Sequence, residues 1–141
     1  TWMKMIERIP SPFKISIALF LILTLVYYKS FPYNSSMAVQ AISDADFKKE
    51  VIDQKGRVFV DFHADWCAPC KVTEPIVKEL SDEMKDIKFV SVDVDSNPQV
   101  AQQYSIFSIP TFLVFKDGQV AGQFVGAMGK EGFLNEIKKT V

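Results

Sequence analysis

Hydrophobic and polar positions fall into two regimes along the chain. Residues 15–28 read Ile-Ser-Ile-Ala-Leu-Phe-Leu-Ile-Leu-Thr-Leu-Val-Tyr-Tyr, almost without a polar break. From residue 39 onward the apolar positions become periodic. The run Arg57-Val58-Phe59-Val60-Asp61-Phe62-His63 is β-prone and apolar apart from one acid, as a buried strand is. After a turn at Ala64-Asp65-Trp66, the residues Val72, Ile76, Val77, Leu80 and Met84 recur at helical spacing, with Lys71, Lys78, Glu79 and Asp82 between them. Ser43 is placed to cap a helix reaching about residue 54, with Asp44 and Asp46 in its first turn. Residues 87–94 read as a strand, and Asn97-Pro98 as a cap and first helical position. Residues 111–115 and 119–125 form a hairpin around Asp117-Gly118, and 130–140 a terminal amphipathic helix with Phe133, Leu134 and Ile137 inward. Alternating strands and helices predict an α/β domain: a central mixed sheet with helices on both faces.

Length and charge narrow the function. The chain has 141 residues and a net charge of −1, which fits one domain plus an appendage. No basic surface points to nucleic acid, and no glycine-rich phosphate loop points to a nucleotide, so neither nucleic-acid partner nor cofactor is expected.

The chemistry is concentrated in Trp66-Cys67-Ala68-Pro69-Cys70-Lys71, which holds both cysteines of the chain. Two thiols at this spacing can close a disulfide and open it again. Cys67 is predicted at a helix N-terminus, where unpaired N–H groups and the helix dipole favour a thiolate. Cys70 lies a turn further in. The expected roles are an exposed nucleophile at Cys67 and a more buried resolving thiol at Cys70. Half of a zinc site is the first competing reading, but the chain offers one histidine, His63, and no further cysteine, so such a zinc would be shared between chains. A purely structural disulfide is the second, and so short a loop constrains the unfolded chain little.

Around these cysteines the chain resembles the thioredoxin family over about residues 39–141. The carriers are Phe59-Val60-Asp61-Phe62, the run from Ala64 to Lys71, and Pro75 in the following helix. Further along they are Val92-Asp93-Val94-Asp95 with Asn97-Pro98, then Ile109-Pro110-Thr111, Lys116-Asp117-Gly118 and Val125-Gly126. The resemblance implies the thioredoxin fold and protein thiol–disulfide exchange. It implies that Asp61 takes the proton of Cys70, a role that burial suits by raising a carboxyl pKa. It places a cis Pro110 opposite the cysteines, with the Ile109 backbone pairing with substrate like an added strand, and counts Gly126, the glycine after the last hairpin, among the substrate-binding residues. Trp66 is expected to shield the disulfide and offer apolar contact, and Pro69 and Lys71 to modulate the thiols. Ala68 stands where glycine is usual, His63 where an aromatic is frequent, and Ser91 where many members carry a lysine near the acid; these bear on redox potential. The Ala-Pro pair between the cysteines favours a reductase. Copper(I) delivery through the two thiolates and a non-catalytic binding module are the alternatives. The first lacks a methionine or histidine set near the pair, and the second leaves Asp61, Trp66 and Pro110 unexplained.

The apolar run 15–28 is short for a span of about 20 residues but becomes adequate when Lys14 and Lys29 snorkel, with Tyr27 and Tyr28 at the interface. Residues 1–29 are therefore expected to be a basic segment and transmembrane anchor, 30–38 a linker and 39–141 the catalytic domain. A signal peptide cleaved after Ala38 or Ala41 is the competing reading. Lys4, Arg8 and Lys14 precede the run and put the domain on the extracytoplasmic side, in periplasm or lumen. The expected partners are disulfide-bearing substrate proteins, the lipid bilayer and an upstream electron donor. That donor is a membrane thiol carrier for an extracytoplasmic domain, or thioredoxin reductase for a cytosolic one.

Overall fold

The computed structural model describes residues 39–141. The predicted anchor and the linker lie outside them. Among the described residues no helix is long and apolar enough to cross a membrane.

The elements in chain order are β1 (Gln40–Ala41), α1 (Asp44–Phe47) running into a π-helical turn (Lys48–Ile52), β2 (Arg57–His63) and α2 (Ala68–Glu83). They continue with β3 (Ile87–Asp93), α3 (Pro98–Gln103), β4 (Thr111–Lys116), β5 (Gln119–Val125) and α4 (Lys130–Lys138). The strands form one sheet in the order β1-β3-β2-β4-β5. β1 and β2 run parallel to β3, whereas β4 is antiparallel to β2 and β5. This is the expected mixed sheet with helices on both sides.

Strand alternation explains the two cores. Val58, Val60 and Phe62 of β2 point to one face, where they meet Val90, Val92, Leu113 and Phe115 of the neighbouring strands. Phe47, Val51 and Val100 from α1, its π-turn and α3 cover that face. Phe59 points to the other face and packs with Phe89, Phe112, Val77 and Leu80 of α2, and Phe133 and Ile137 of α4. Rings in this second core meet closely, with Phe112 and Phe133 centroids 4.8 Å apart in an edge-on contact and Phe59 and Phe89 4.9 Å apart. Asp61, two residues after Phe59, shares the α2-facing side.

Two local details differ from the expectation. Ser43 occupies the cap position of α1, yet its hydroxyl donates to the Asp46 carboxylate at 2.6 Å rather than accepting from the helix backbone. The first helical segment stops at Ile52, because the Asp53 amide reaches back five residues to the Lys48 carbonyl at 2.8 Å and the wide turn ends there. Asp44 instead works between helices. Its carboxylate accepts from the Gln99 and Val100 amides of α3 at 3.2 and 2.9 Å, while its own amide donates to Asn97 Oδ1 at 2.8 Å. The β4–β5 turn needs positive φ at Asp117 (50°) and Gly118 (78°), and a Cβ on Gly118 would stand 2.3 Å from the Ile52 carbonyl oxygen.

Candidate functional site

β2 ends at His63, the chain turns, and α2 begins at Ala68 with Cys67 as its N-cap residue. Cys67 has extended backbone angles, which free its side chain to fold back over the first turn. Its Sγ accepts a hydrogen bond from the Cys70 amide at 3.3 Å, a donor that an α-helix leaves without an internal partner. Pro69, exposed in the first turn, supplies no N–H. Cys67 and Cys70 are joined in a disulfide with Cα atoms 5.3 Å apart.

The exposure difference expected between the two cysteines is absent from this oxidised form. Cys67 is 3% exposed and Cys70 6%. The bonded sulfurs cover one another, and Ala64, Val94 and Ile109 pack around them. What distinguishes the pair is position at the helix start, not accessibility.

Ile109 lies against the disulfide. The Ile109–Pro110 peptide is cis. The loop is held by the Gly126 amide, which donates to the Pro110 carbonyl at 2.8 Å, and by the Thr111 hydroxyl, which donates to the Ser108 carbonyl at 2.6 Å. Gly126 has φ +96°, a conformation costly for a residue with a Cβ. Trp66 is 70% exposed. Its indole N–H donates to the Asp95 carboxylate at 2.7 Å, so the ring is fixed beside the site while most of its surface meets solvent.

On the Cys70 side a cleft of about 380 Å³ enters the protein, walled by Asp61, His63, Cys70, Lys71, Glu74, Lys78 and Ser91 among others. Asp61 is 6% exposed, and its Oδ1 has no hydrogen-bond partner among the described residues. Burial pushes its carboxyl from an ordinary 3.8 up to about 7, and the negative charge of Glu74 pushes the same way. Asp61 is register partner to Ser91 on β3 and Phe112 on β4, so neither neighbouring strand sets a cation against it. An acid poised near neutrality beside a redox thiol can accept that thiol's proton. No three histidine, cysteine or acidic side chains among the described residues converge as a metal site.

Cys67, Cys70 and Ile109 therefore form one cluster, and Asp61, Cys70 and Lys71 share one cleft. Three features were not anticipated. Asp95 anchors Trp66, Glu74 lines the cleft, and Phe107, two residues before Ile109, is 93% exposed. The spacing of Glu74 four residues after Cys70 was the available signal for the second, since such residues share a helix face. Phe107 carries no periodic signal.

Comparison with known proteins agrees with this geometry. A family model described as Thioredoxin matches residues 38–139. "Thioredoxin 1" of Synechococcus elongatus is 46% identical over 100 residues, covering 70% of this chain and 94% of that protein. "Thioredoxin 1" of a Nostoc species is 44% identical over 103 residues, 72% of this chain and 96% of that protein. "Thioredoxin" of Mycobacterium tuberculosis is 41% identical over 101 residues, 71% of this chain and 87% of that protein.

Proposed function

The chain belongs to the thioredoxin family and is a protein-disulfide oxidoreductase, and on that premise we propose that it works as a membrane-tethered reductase of other proteins' disulfides. The carrying observation is the Cys67–Cys70 disulfide at the start of α2, with the Cys70 amide directed at Cys67 Sγ. In the reduced protein that donor and the helix N-terminus favour a thiolate at Cys67.

The reaction runs in two exchanges. The Cys67 thiolate attacks one sulfur of a substrate disulfide, forming a mixed disulfide and releasing the other substrate sulfur as a thiolate that takes a proton from water. Asp61, as carboxylate, then accepts the Cys70 thiol proton. The Cys70 thiolate attacks Cys67 Sγ, closing the Cys67–Cys70 bond and expelling the second substrate thiolate. The substrate gains two electrons and the pair loses two. A thiol donor must reduce the pair before the next turnover: a membrane thiol carrier for an extracytoplasmic domain, thioredoxin reductase for a cytosolic one. In this reading Ile109 and the cis Pro110 loop, braced by Gly126, receive the substrate backbone, Trp66 gives an apolar wall, and Pro69 and Lys71 modulate the thiols.

The test is reduction of insulin disulfides together with the reduction potential of the pair. A potential of about −270 mV, the thioredoxin value, supports a reductase, and one of about −120 mV, the value of a strong periplasmic oxidant, would assign the opposite direction.

The tether rests on the apolar run 15–28, and the extracytoplasmic side on Lys4, Arg8 and Lys14 before it. Carbonate extraction should leave the chain in the membrane, and protease added to intact spheroplasts should digest the domain. A shortened soluble form beginning near Val39 would instead indicate a cleaved signal, and a protected domain a cytosolic site.

A further inference from the structure

The cleft beside the disulfide contains more ionisable groups than the exchange reaction uses. Asp61 forms its buried wall. His63 follows it on the same face of β2, Asp65 comes from the turn, and Lys71, Glu74 and Lys78 come from α2; β3 contributes the neutral Ser91. Helical spacing puts Glu74 one turn beyond Cys70 on the same face, so a carboxylate stands at the solvent end of the space whose inner end is Asp61 and Cys70. Asp61 is buried and its Oδ1 is unpartnered among the described residues, whereas Glu74 is exposed.

We propose that Glu74 is the positioning residue that sets the pH range over which Asp61 accepts the Cys70 proton, and that the cleft is the path by which this proton afterwards reaches water. The inference rests on the assignment of Asp61 as the base. Two negative charges facing one poorly solvated space disfavour each other, so an ionised Glu74 holds Asp61 protonated to higher pH. Lys71 and Lys78 line the same walls and are as exposed as Glu74, but of these three charges it is that of Glu74 that acts on the Asp61 carboxyl. The carboxylate pair also gives direction: a proton received at the buried end is handed to a rim whose charge attracts it.

The test uses the whole chain in detergent. Reduced protein is mixed rapidly with saturating peptide disulfide, and the first-order resolution phase is followed by tryptophan fluorescence across pH 5 to 9. Glu74→Gln should move the midpoint of that phase down by about half a pH unit, and Glu74→Lys down by roughly twice as much, the size expected of one and two charges acting through a partly solvated path. The shift should shrink at high salt. Alkylation of Cys67 should keep its pH profile, which separates the effect from a general change at the helix start.

Unmoved midpoints in both Glu74 variants would overturn the proposal and leave Asp61 as the base. A Glu74→Gln shift of undiminished size in an Asp61→Asn background would also overturn it, because Glu74 would then act on Cys70 directly. If Asp61→Asn alone leaves the resolution phase unchanged, the parent assignment fails instead.

Discussion

Asp61→Asn isolates the energetic consequence of burying an acid in this sheet. The carboxyl is raised from 3.8 to about 7 by desolvation and, secondarily, by Glu74. The sign follows from linkage. A carboxyl whose folded pKa lies above its unfolded value binds its proton more tightly in the folded state. It contributes stability below the unfolded value, and that contribution is lost as pH rises through the folded value. The window is therefore about pH 4 to pH 7. Across it the oxidised protein should lose about 4 kcal/mol on account of this group, since each pH unit between the two values is worth about 1.36 kcal/mol. Asparagine has nearly the same shape and no proton to lose. The variant should match the wild type near pH 4 and exceed it by roughly 4 kcal/mol near pH 8. Urea unfolding at half-unit pH intervals measures the difference directly, with the disulfide intact so that the transition remains a single one. Two curves that run parallel from pH 4 to pH 8 would refute the reasoning, because they would mean that the native state hydrates Asp61 as well as the unfolded chain does.

Other outcomes follow from the same geometry. Cys67→Ser should abolish turnover, while Cys70→Ser should accumulate mixed disulfides with substrate, seen as non-reducing gel shifts. Gly118→Ala should cost about 2 kcal/mol or more in chemical unfolding, since its φ is +78° and the new Cβ would meet the Ile52 carbonyl oxygen at 2.3 Å. Phe107→Ser should slow insulin reduction by about tenfold, roughly 1.4 kcal/mol of lost apolar contact, while leaving the rate with a small symmetrical disulfide unchanged.

How far the sequence could be read depended on whether the determining interaction was local. The strand at 57–63 was legible because alternation and a β-prone run are properties of consecutive residues, and β2 occupies those positions. The start of α2 was legible for a similar reason: the turn, the cysteine and the apolar periodicity sit within one segment. Ser43 takes the predicted cap position, but its hydroxyl donates to the Asp46 carboxylate and accepts no backbone N–H, and a cap preference does not say which local partner the hydroxyl takes. Asp44 capping α3 was beyond reach, since the partners lie far apart in the chain and meet only once the sheet has formed. The near-equal burial of the cysteines was also hidden, because it comes from Ile109 and Val94 closing over a formed disulfide. The anchor lies outside the described residues, so its reading still stands on hydropathy and charge alone.

Asp61 joins the local and non-local contributions. Its strand assignment is local, but its environment depends on strand order: β2 is central, so Asp61 has β3 on one side and β4 on the other, and both present uncharged residues there. In the proposed mechanism the sheet order thus turns an acid in a hydrophobic run into a base working near neutral pH. Cys67 is governed by the opposite influence, a helix N-terminus that favours the charged form of its thiol. On the proposed roles, one device eases ionisation of the thiol that attacks; the other delays ionisation of the group that deprotonates the thiol that resolves. Exchanging those environments would leave the nucleophile protonated and the base ionised but weak. The chemistry accordingly depends on β2 delivering Asp61 to the sheet interior and releasing the chain at His63, so that Cys67 emerges at the helix start.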